Sequence, residues 1–440
     1  MSQIEKIKKD RINKLKKIQN PYPEKTFMKY HGRVRSVREH GSSCFAHLNE
    51  QQIYLKKDEL KSNLFNSFKE LVDIGDFIEV NGKIFKTKTG EKTVLVSDWR
   101  MLAKSLRPLP EKWHGLKNQE IRFRKRYLDL LMNKESSEKF IIRSKIITSI
   151  RQFLDKNNFL EVETPILQTL YGGALAKPFK THLNALDMNL YLRIAPELYL
   201  KRLLVGGYER VYEIGRCFRN EGMDKNHNPD FTMLEFYSAY WDYEILMEFS
   251  EKLFLHILQS LGCKDLKIKF NNKTINFKTP WPRITYKDLF TKYANLDIDK
   301  TKKSSKELDQ IYKDKIRDKL QNPVFFIDTP VEMNPLAKAR EDEPEKAARF
   351  QLVAGGVELV NAFSELNSPI EQKARFRDQE KLQKAGDQEA HSYDKDYVEA
   401  LEYGMPPAAG FGMGIDRLTA LLTNSKTLRE VILFPAMRRR

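Results

Sequence analysis

Residues 211–240, VYEIGRCFRNEGMDKNHNPDFTMLEFYSAY, constrain this chain more than any other stretch. Aromatic and β-branched residues open it as a strand. Counting by two puts Glu213, Arg219 and Glu221 on one face of that strand. A polar loop with Gly222, Asn226, Asn228 and Pro229 follows, which is turn chemistry. A second strand over 231–240 sets Glu235 and Tyr237 on a common face. The expected object is an antiparallel hairpin with a long loop. Its floor carries an arginine, two or three carboxylates and a phenol, with His227 and Phe231 at the loop. Such a floor can grip a phosphate through the planar fork of Arg219 and stack a base on Phe231. Glu235 and Tyr237 suit an amine. A solvated hairpin with ordinary surface charges is the plain alternative.

Further along, QLVAGGVELVNAFSELNSP is a strand in which Asn361, Phe363 and Glu365 share a face. Strict alternation puts Glu358 on the opposite face, so a shared role with Asn361 requires a bulge or a ligand reaching around the strand. Near the end, Gly410, Gly412 and Gly414 recur every second residue in AAGFGMGIDRL. They leave bare backbone on which a flat ligand can lie. The spacing is not the dinucleotide-binding glycine pattern. Arg417 follows at the start of a helix. Upstream, Gly172 and Gly173 permit close backbone approach. Pro196 and Glu197 open a helix that Gly206 and Gly207 end.

A chain of 440 residues has room for two or three domains. Residues 28–104 read as five short strands around one helical stretch, 57–71, which suggests an oligonucleotide-binding barrel. Residues 1–27 begin with a basic helix that either touches RNA or is merely solvated. Residues 105–135 form a proline-marked linker and a basic helix, and 136–440 a larger α+β domain with a lysine-rich insertion around 280–350. The net charge of +17 favours a polyanionic partner, or else reflects a lysine-rich composition. No run of eighteen apolar residues exists, so no membrane span is expected, and the first residues lack an apolar signal core. Cys44, Cys217 and Cys263 fit no zinc spacing and suit a reducing cytoplasm.

FRNEG followed by HNPDFTMLEFY resembles motif 2 of class II aminoacyl-tRNA synthetases, in the form used by the lysyl enzymes of bacterial type. FLEVETPIL resembles motif 1 and GMGIDR motif 3, so the resemblance runs in order from about residue 30 to 440. It implies an OB-type barrel that binds the anticodon, a catalytic domain built on an antiparallel sheet flanked by helices, and a homodimer joined through motif 1. It implies ATP-dependent attachment of L-lysine to tRNA-Lys through a lysyl-adenylate. Arg219 and Arg417 are then catalytic. ATP is bound by Arg219, Glu221, His227, Phe231, Gly414 and Arg417. Lysine is bound by Gly173, Glu197, Glu235, Tyr237, Asn361, Phe363 and Glu365. Mg²⁺ falls to Glu358. Seven positions earlier the family carries a second glutamate, and this chain has Gln351, a neutral oxygen ligand or a water-mediated one. Anticodon contacts fall to Arg33, Phe45, Phe85 and Glu91, with core packing the alternative for both phenylalanines.

The sister aspartyl and asparaginyl enzymes should line the same pocket with cations, and three glutamates oppose that here. Ligases that put lysine on a protein lack the barrel. An inactive RNA-binding paralogue would have less reason to keep Arg219, Glu221 and Arg417.

Overall fold

The computed structural model describes residues 2–110, 116–301, 303–385 and 392–438, which fall into two compact units, 1–117 and 118–440. Residues 111–115 of the expected linker and 386–391 of a charged helical region lie outside the described residues.

In the first unit, a helix Gln3–Lys16 precedes five strands: β1 (Tyr30–His40), β2 (Ser43–Leu48), β3 (Gln51–Lys56), β4 (Phe77–Lys86) and β5 (Lys92–Ala103). They close into a barrel in the order β1-β2-β3-β5-β4. The alternation that makes them strands also fills the barrel, because Val34, Ala46, Ile53, Ile78, Val80 and Val94 all point inward and are fully buried. The one helix between strands is shorter than the sequence suggests, Ser62–Leu71, and plugs the barrel with Phe65 and Phe68. A buried ammonium, Lys104, is held by Asp73 at 2.5 Å and Asp76 at 2.7 Å.

The second unit is built on an eight-stranded sheet. Its order is Arg283–Thr285, Val324–Ile327, Arg349–Ala354, Val357–Ser364, Ala408–Gly414, Asp230–Ala239, Arg210–Phe218, Leu160–Glu161. The six middle strands are antiparallel and only the two outermost pairings are parallel. Two of these strands, Arg283–Thr285 and Val324–Ile327, come from the segment read as an insertion. The strand expected in FLEVETPIL is only two residues long, and beyond it the Thr164 amide goes to the Glu213 carboxylate at 3.2 Å.

One face of the sheet is the core. Leu234, Phe236, Val360, Ala362, Phe411 and Met413 pack there against the helices Lys134–Lys156, Tyr243–Ser260 and Ile415–Leu422. Phe236 lies stacked on Phe411, with ring centroids 4.4 Å apart. Phe236→Ala should therefore lower the stability of this unit by about 3–5 kcal/mol, the usual cost of emptying a buried aromatic site. Thermal unfolding of the variant checks this, and a shift too small to resolve would place Phe236 outside the cooperative core. The opposite face of the same strands carries the alternate residues.

Candidate active site

The alternate residues form two cross-strand rows. In one, Gln351, Asn361, Gly412, Glu235 and Glu213 stand side by side; in the next, Arg349, Phe363, Gly410, Tyr237 and Val211. The central glycines turn these rows into a trough. A Cβ on Gly410 would overlap the Glu365 carboxylate and the Tyr237 ring, and one on Gly412 would press on Met233 at 2.9 Å. Gly414 leaves its space to the Arg417 side chain. Over the trough lies a cavity of about 440 Å³.

This cavity gathers most of the residues singled out from the sequence. Gly173, Glu197, Glu235, Tyr237, Asn361 and Phe363 line one part of it. Arg219, Glu221, His227, Phe231, Gly414 and Arg417 line another, with Gln351 and Glu358 along the same wall. Gly173 has φ +86°, and a Cβ there would meet Glu197 at 2.9 Å, so glycine is required for the close approach.

Arg219 and Glu221 are not on the strand, which ends at Phe218. The Arg219 amide bonds the Pro229 carbonyl at 2.8 Å, closing the base of the loop and turning the chain out of the sheet. The Arg219 guanidinium then lies 5.0 Å over the Phe231 ring, and its buried Nε has no hydrogen-bond partner. His227 rests its Nδ1 2.9 Å from Asp224, at the exposed loop.

Glu213, expected in the floor, is withdrawn from it. Burial obliges it to find a counterion, and it takes Arg193 Nη1 at 2.5 Å and the Thr164 hydroxyl at 2.7 Å. Glu365 is likewise not among the cavity-lining residues. It is fully buried and paired with Lys201, which also holds Glu197 Oε1 at 2.5 Å. Glu235 is the remaining pocket carboxylate and accepts a hydrogen bond from the Tyr237 hydroxyl at 3.0 Å. Burial, and then the charge of Glu197, push the Glu235 carboxyl up to about 8. Lys201 and Arg349 went unnoticed in the sequence. Arg349 donates from Nε to Asn361 Oδ1 at 2.8 Å and from Nη1 to Thr329 at 3.2 Å, which fixes the Asn361 amide; burial pushes this guanidinium down to about 10.

Strict alternation fails at Glu358 because the strand has a bulge. Leu352 pairs with Val360 and Val353 with Glu358, so Leu359 is an extra residue. Leu359 and Val360 both go to the core, and Glu358 returns to the face of Asn361. There Gln351 Nε2 donates to Glu358 Oε1 at 3.2 Å, and Arg417 Nη1 stands 3.9 Å from Oε2. Among the described residues, no group of three or more His, Cys, Asp or Glu could hold a metal ion.

On the barrel, Phe45, Tyr54 and Phe85 make a row across three strands, with centroids 4.4 and 6.0 Å apart. All three are half-buried, neither core nor free. Glu91 accepts from Gln52 at 2.9 Å. Arg33 is taken up elsewhere: it donates to the Gly75 carbonyl at 2.9 Å and covers the Phe77 ring at 4.1 Å.

A glycine-floored trough on an antiparallel sheet, with an arginine from the hairpin at one side and an arginine from the next helix at the other, defines the class II synthetase catalytic domain. The sequence profile of the family "tRNA synthetases class II (D, K and N)" matches residues 118–438. The chain is 49% identical to the lysine–tRNA ligase of Carboxydothermus hydrogenoformans, over 94% of this chain and 89% of that one. It is 50% identical to that of Pelotomaculum thermopropionicum, over 93% and 86%, and 46% identical to that of Thermotoga maritima, again over 93% and 86%. The chain belongs to the lysine–tRNA ligases of this family.

Proposed function

We propose that this ligase forms lysyl-adenylate in the trough over Gly410 and Gly412 and passes the lysyl group to tRNA-Lys. The observation that carries the reading is one cavity with buried carboxylates at Glu197 and Glu235 and an unpartnered guanidinium nitrogen at Arg219. The amine-binding end and the phosphate-binding end thus belong to the same cavity. Lysine's carboxylate attacks the α-phosphorus of ATP and pyrophosphate leaves. The nucleophile is already an anion, so no general base is needed, and the protein's work is positioning and charge stabilisation. Arg219 meets the charge that builds on the α-phosphate. Arg417 and His227 hold the outer phosphates, and Phe231 stacks on the adenine. Glu221, beside Arg219, belongs to the nucleotide end. In the second step a terminal ribose hydroxyl of the tRNA takes the lysyl group.

Glu197, Glu235 and Tyr237 receive lysine's ammonium groups, with Asn361 and Phe363 shaping the wall. A neutral or acidic side chain would leave buried carboxylates unpaired, which is the costly kind of mismatch. The test is pyrophosphate exchange across amino acids. Exchange with lysine and not with aspartate or asparagine is expected; exchange with aspartate alone would overturn the reading.

One carboxylate, Glu358, with the Gln351 amide beside it, fits a Mg²⁺ that arrives on the nucleotide's phosphates and keeps much of its water; it does not make a two-carboxylate cage. Glu358 would hold such an ion directly and Gln351 through its amide oxygen or a water. When bound, the ion neutralises phosphate charge. Gln351→Glu should accordingly lower the Mg²⁺ concentration for half-maximal exchange severalfold. An unchanged Mg²⁺ titration would remove position 351 from the metal's surroundings.

The aromatic row Phe45–Tyr54–Phe85, flanked by Glu91 and Gln52, is suited to stacking unpaired anticodon bases. The segment resembling motif 1 leaves Leu160, Ile166 and Leu167 exposed, with Leu170 just after it, which supports a homodimer joined there. No described helix is long and apolar enough to cross a membrane. The three cysteines are free, which suits a cytoplasmic enzyme.

A further inference from the structure

The pocket contains a cation of its own. Lys201 lies on the helix Glu197–Val205, one turn after Glu197, and is completely buried. Its Nζ sits 2.5 Å from Glu197 Oε1, is ion-paired with Glu365, and lies 5.4 Å from the Phe363 ring centre. Glu197, Glu235 and Glu365 are all at least nine-tenths buried, so each charge there must be matched. Glu365 is ion-paired with the Lys201 ammonium, and its carboxylate oxygens have no other hydrogen-bond partner. One of them faces the space where Gly410 has no side chain, and Gly410 borders the cavity. Glu365 is thus buried behind the trough, with Lys201 as its counterion.

We propose that Lys201 is a specificity-determining counterion, which leaves two unmatched carboxylates for the two ammonium groups of the substrate amino acid. The proposal rests on the lysine pocket described above. Three carboxylates less one ammonium leave two negative charges, and lysine brings two positive ones. Its carboxylate belongs with Arg219 at the other end. The other groups acting on the cluster are the phenols Tyr237 from the sheet and Tyr397 from the helix Lys395–Glu402, and, at Glu235, Arg219 and Glu213, the last already paired with Arg193. Asp394, which precedes that helix, is held by Arg202 at 2.9 Å. Desolvation works against the Lys201 charge, but Glu197 and Glu365 outweigh it and hold the ammonium above its usual range. Lys201 therefore does not titrate as lysine enters. Without it, Glu197 and Glu365 would share a proton and turn toward each other, away from the ligand.

The test is Lys201→Met, with the KM for lysine and for ATP measured in pyrophosphate exchange. Lysine titrations in two buffers of different ionisation enthalpy give the protons exchanged on binding. A rise in the lysine KM of about tenfold or more is expected, equivalent to about 1.4 kcal/mol. The ATP KM should stay within about twofold, and about one more proton should leave on lysine binding than in the parent. The charge-balanced Lys201→Met/Glu365→Gln variant, which leaves both cavity-lining carboxylates in place, should recover much of the lysine KM and the parent's proton count. Lys201→Met with the parent's lysine KM and proton count would overturn the proposal, as would a parallel loss for lysine and ATP. If the single variant does not fold, the double variant decides: lysine binding with the parent's proton count supports the proposal, and absent lysine binding overturns it. A parent protein that exchanges with another amino acid and not lysine would instead overturn the underlying pocket reading.

Discussion

Arg219→Ala lowers the rate of lysyl-adenylate formation by roughly 10²-fold or more, as for loss of a preorganised donor aimed at charge that develops in the transition state. The geometry makes this a test of chemistry rather than of folding. The residue's place in the chain is set by its backbone, through the Pro229 carbonyl at 2.8 Å, and Asn220 continues the anchorage by bonding Lys177 at 2.7 Å. Neither bond uses the Arg219 side chain. That side chain makes one ring contact, with Phe231, and its Nε is buried without a partner. Truncation therefore removes a charge from the cavity and leaves the hairpin its backbone ladder. The loss should fall on the exchange rate at saturating lysine and ATP, with thermal unfolding close to the parent's. Arg219→Lys should restore little, because a point charge does not reproduce the planar fork. An unchanged exchange rate in the alanine variant would remove Arg219 from the mechanism.

Period-two counting was enough to find the trough. Glu235 and Tyr237 do share a face, as do Asn361 and Phe363, and the glycines at 410 and 412 lie between them. The barrel was legible for the same reason, since its inward residues alternate with polar ones. Counting failed wherever a strand stopped or slipped. It carried Arg219 and Glu221 onto a strand that ends at Phe218, and it sent Glu358 to the wrong face because nothing in VELVN announces the extra residue at Leu359. It also could not tell a carboxylate that waits for a ligand from one already matched. Glu213 and Glu365 look alike in the sequence to Glu235, yet Arg193 and Lys201 claim them. One signal was available: Glu197 and Lys201 are four apart on a helix, where opposite charges meet. The Glu365 half of that pairing joins residues 164 positions apart and has no local signature. Arg33 shows the converse, a cation near the aromatic row of the barrel in sequence whose fork is spent on a turn carbonyl.

Glu235→Gln should cost lysine activation two to nearly four orders of magnitude in kcat/KM, because removing one partner of a buried charge pair typically costs about 3–5 kcal/mol. The amide keeps the shape and a hydrogen bond for the Tyr237 hydroxyl, so the loss reports the charge. The same substitution should change stability in the other direction. In the free protein, burial and the neighbouring Glu197 hold the Glu235 carboxyl up at about 8, against 4.5 for an ordinary glutamate. Between those values the folded chain binds more protons than the unfolded one, so stability falls as pH rises through that window and levels off above it. The Glu235→Gln variant would have no such slope. Unfolding midpoints from pH 5 to 9 without lysine should show the parent losing ground to that variant as pH rises. Saturating lysine should flatten the parent's curve, because a bound ammonium favours the carboxylate and lowers its pKa. Parallel curves without lysine would mean that Glu235 is already ionised at neutral pH, matched by a cation other than the substrate. The pocket would then select lysine by shape rather than by an unmet charge.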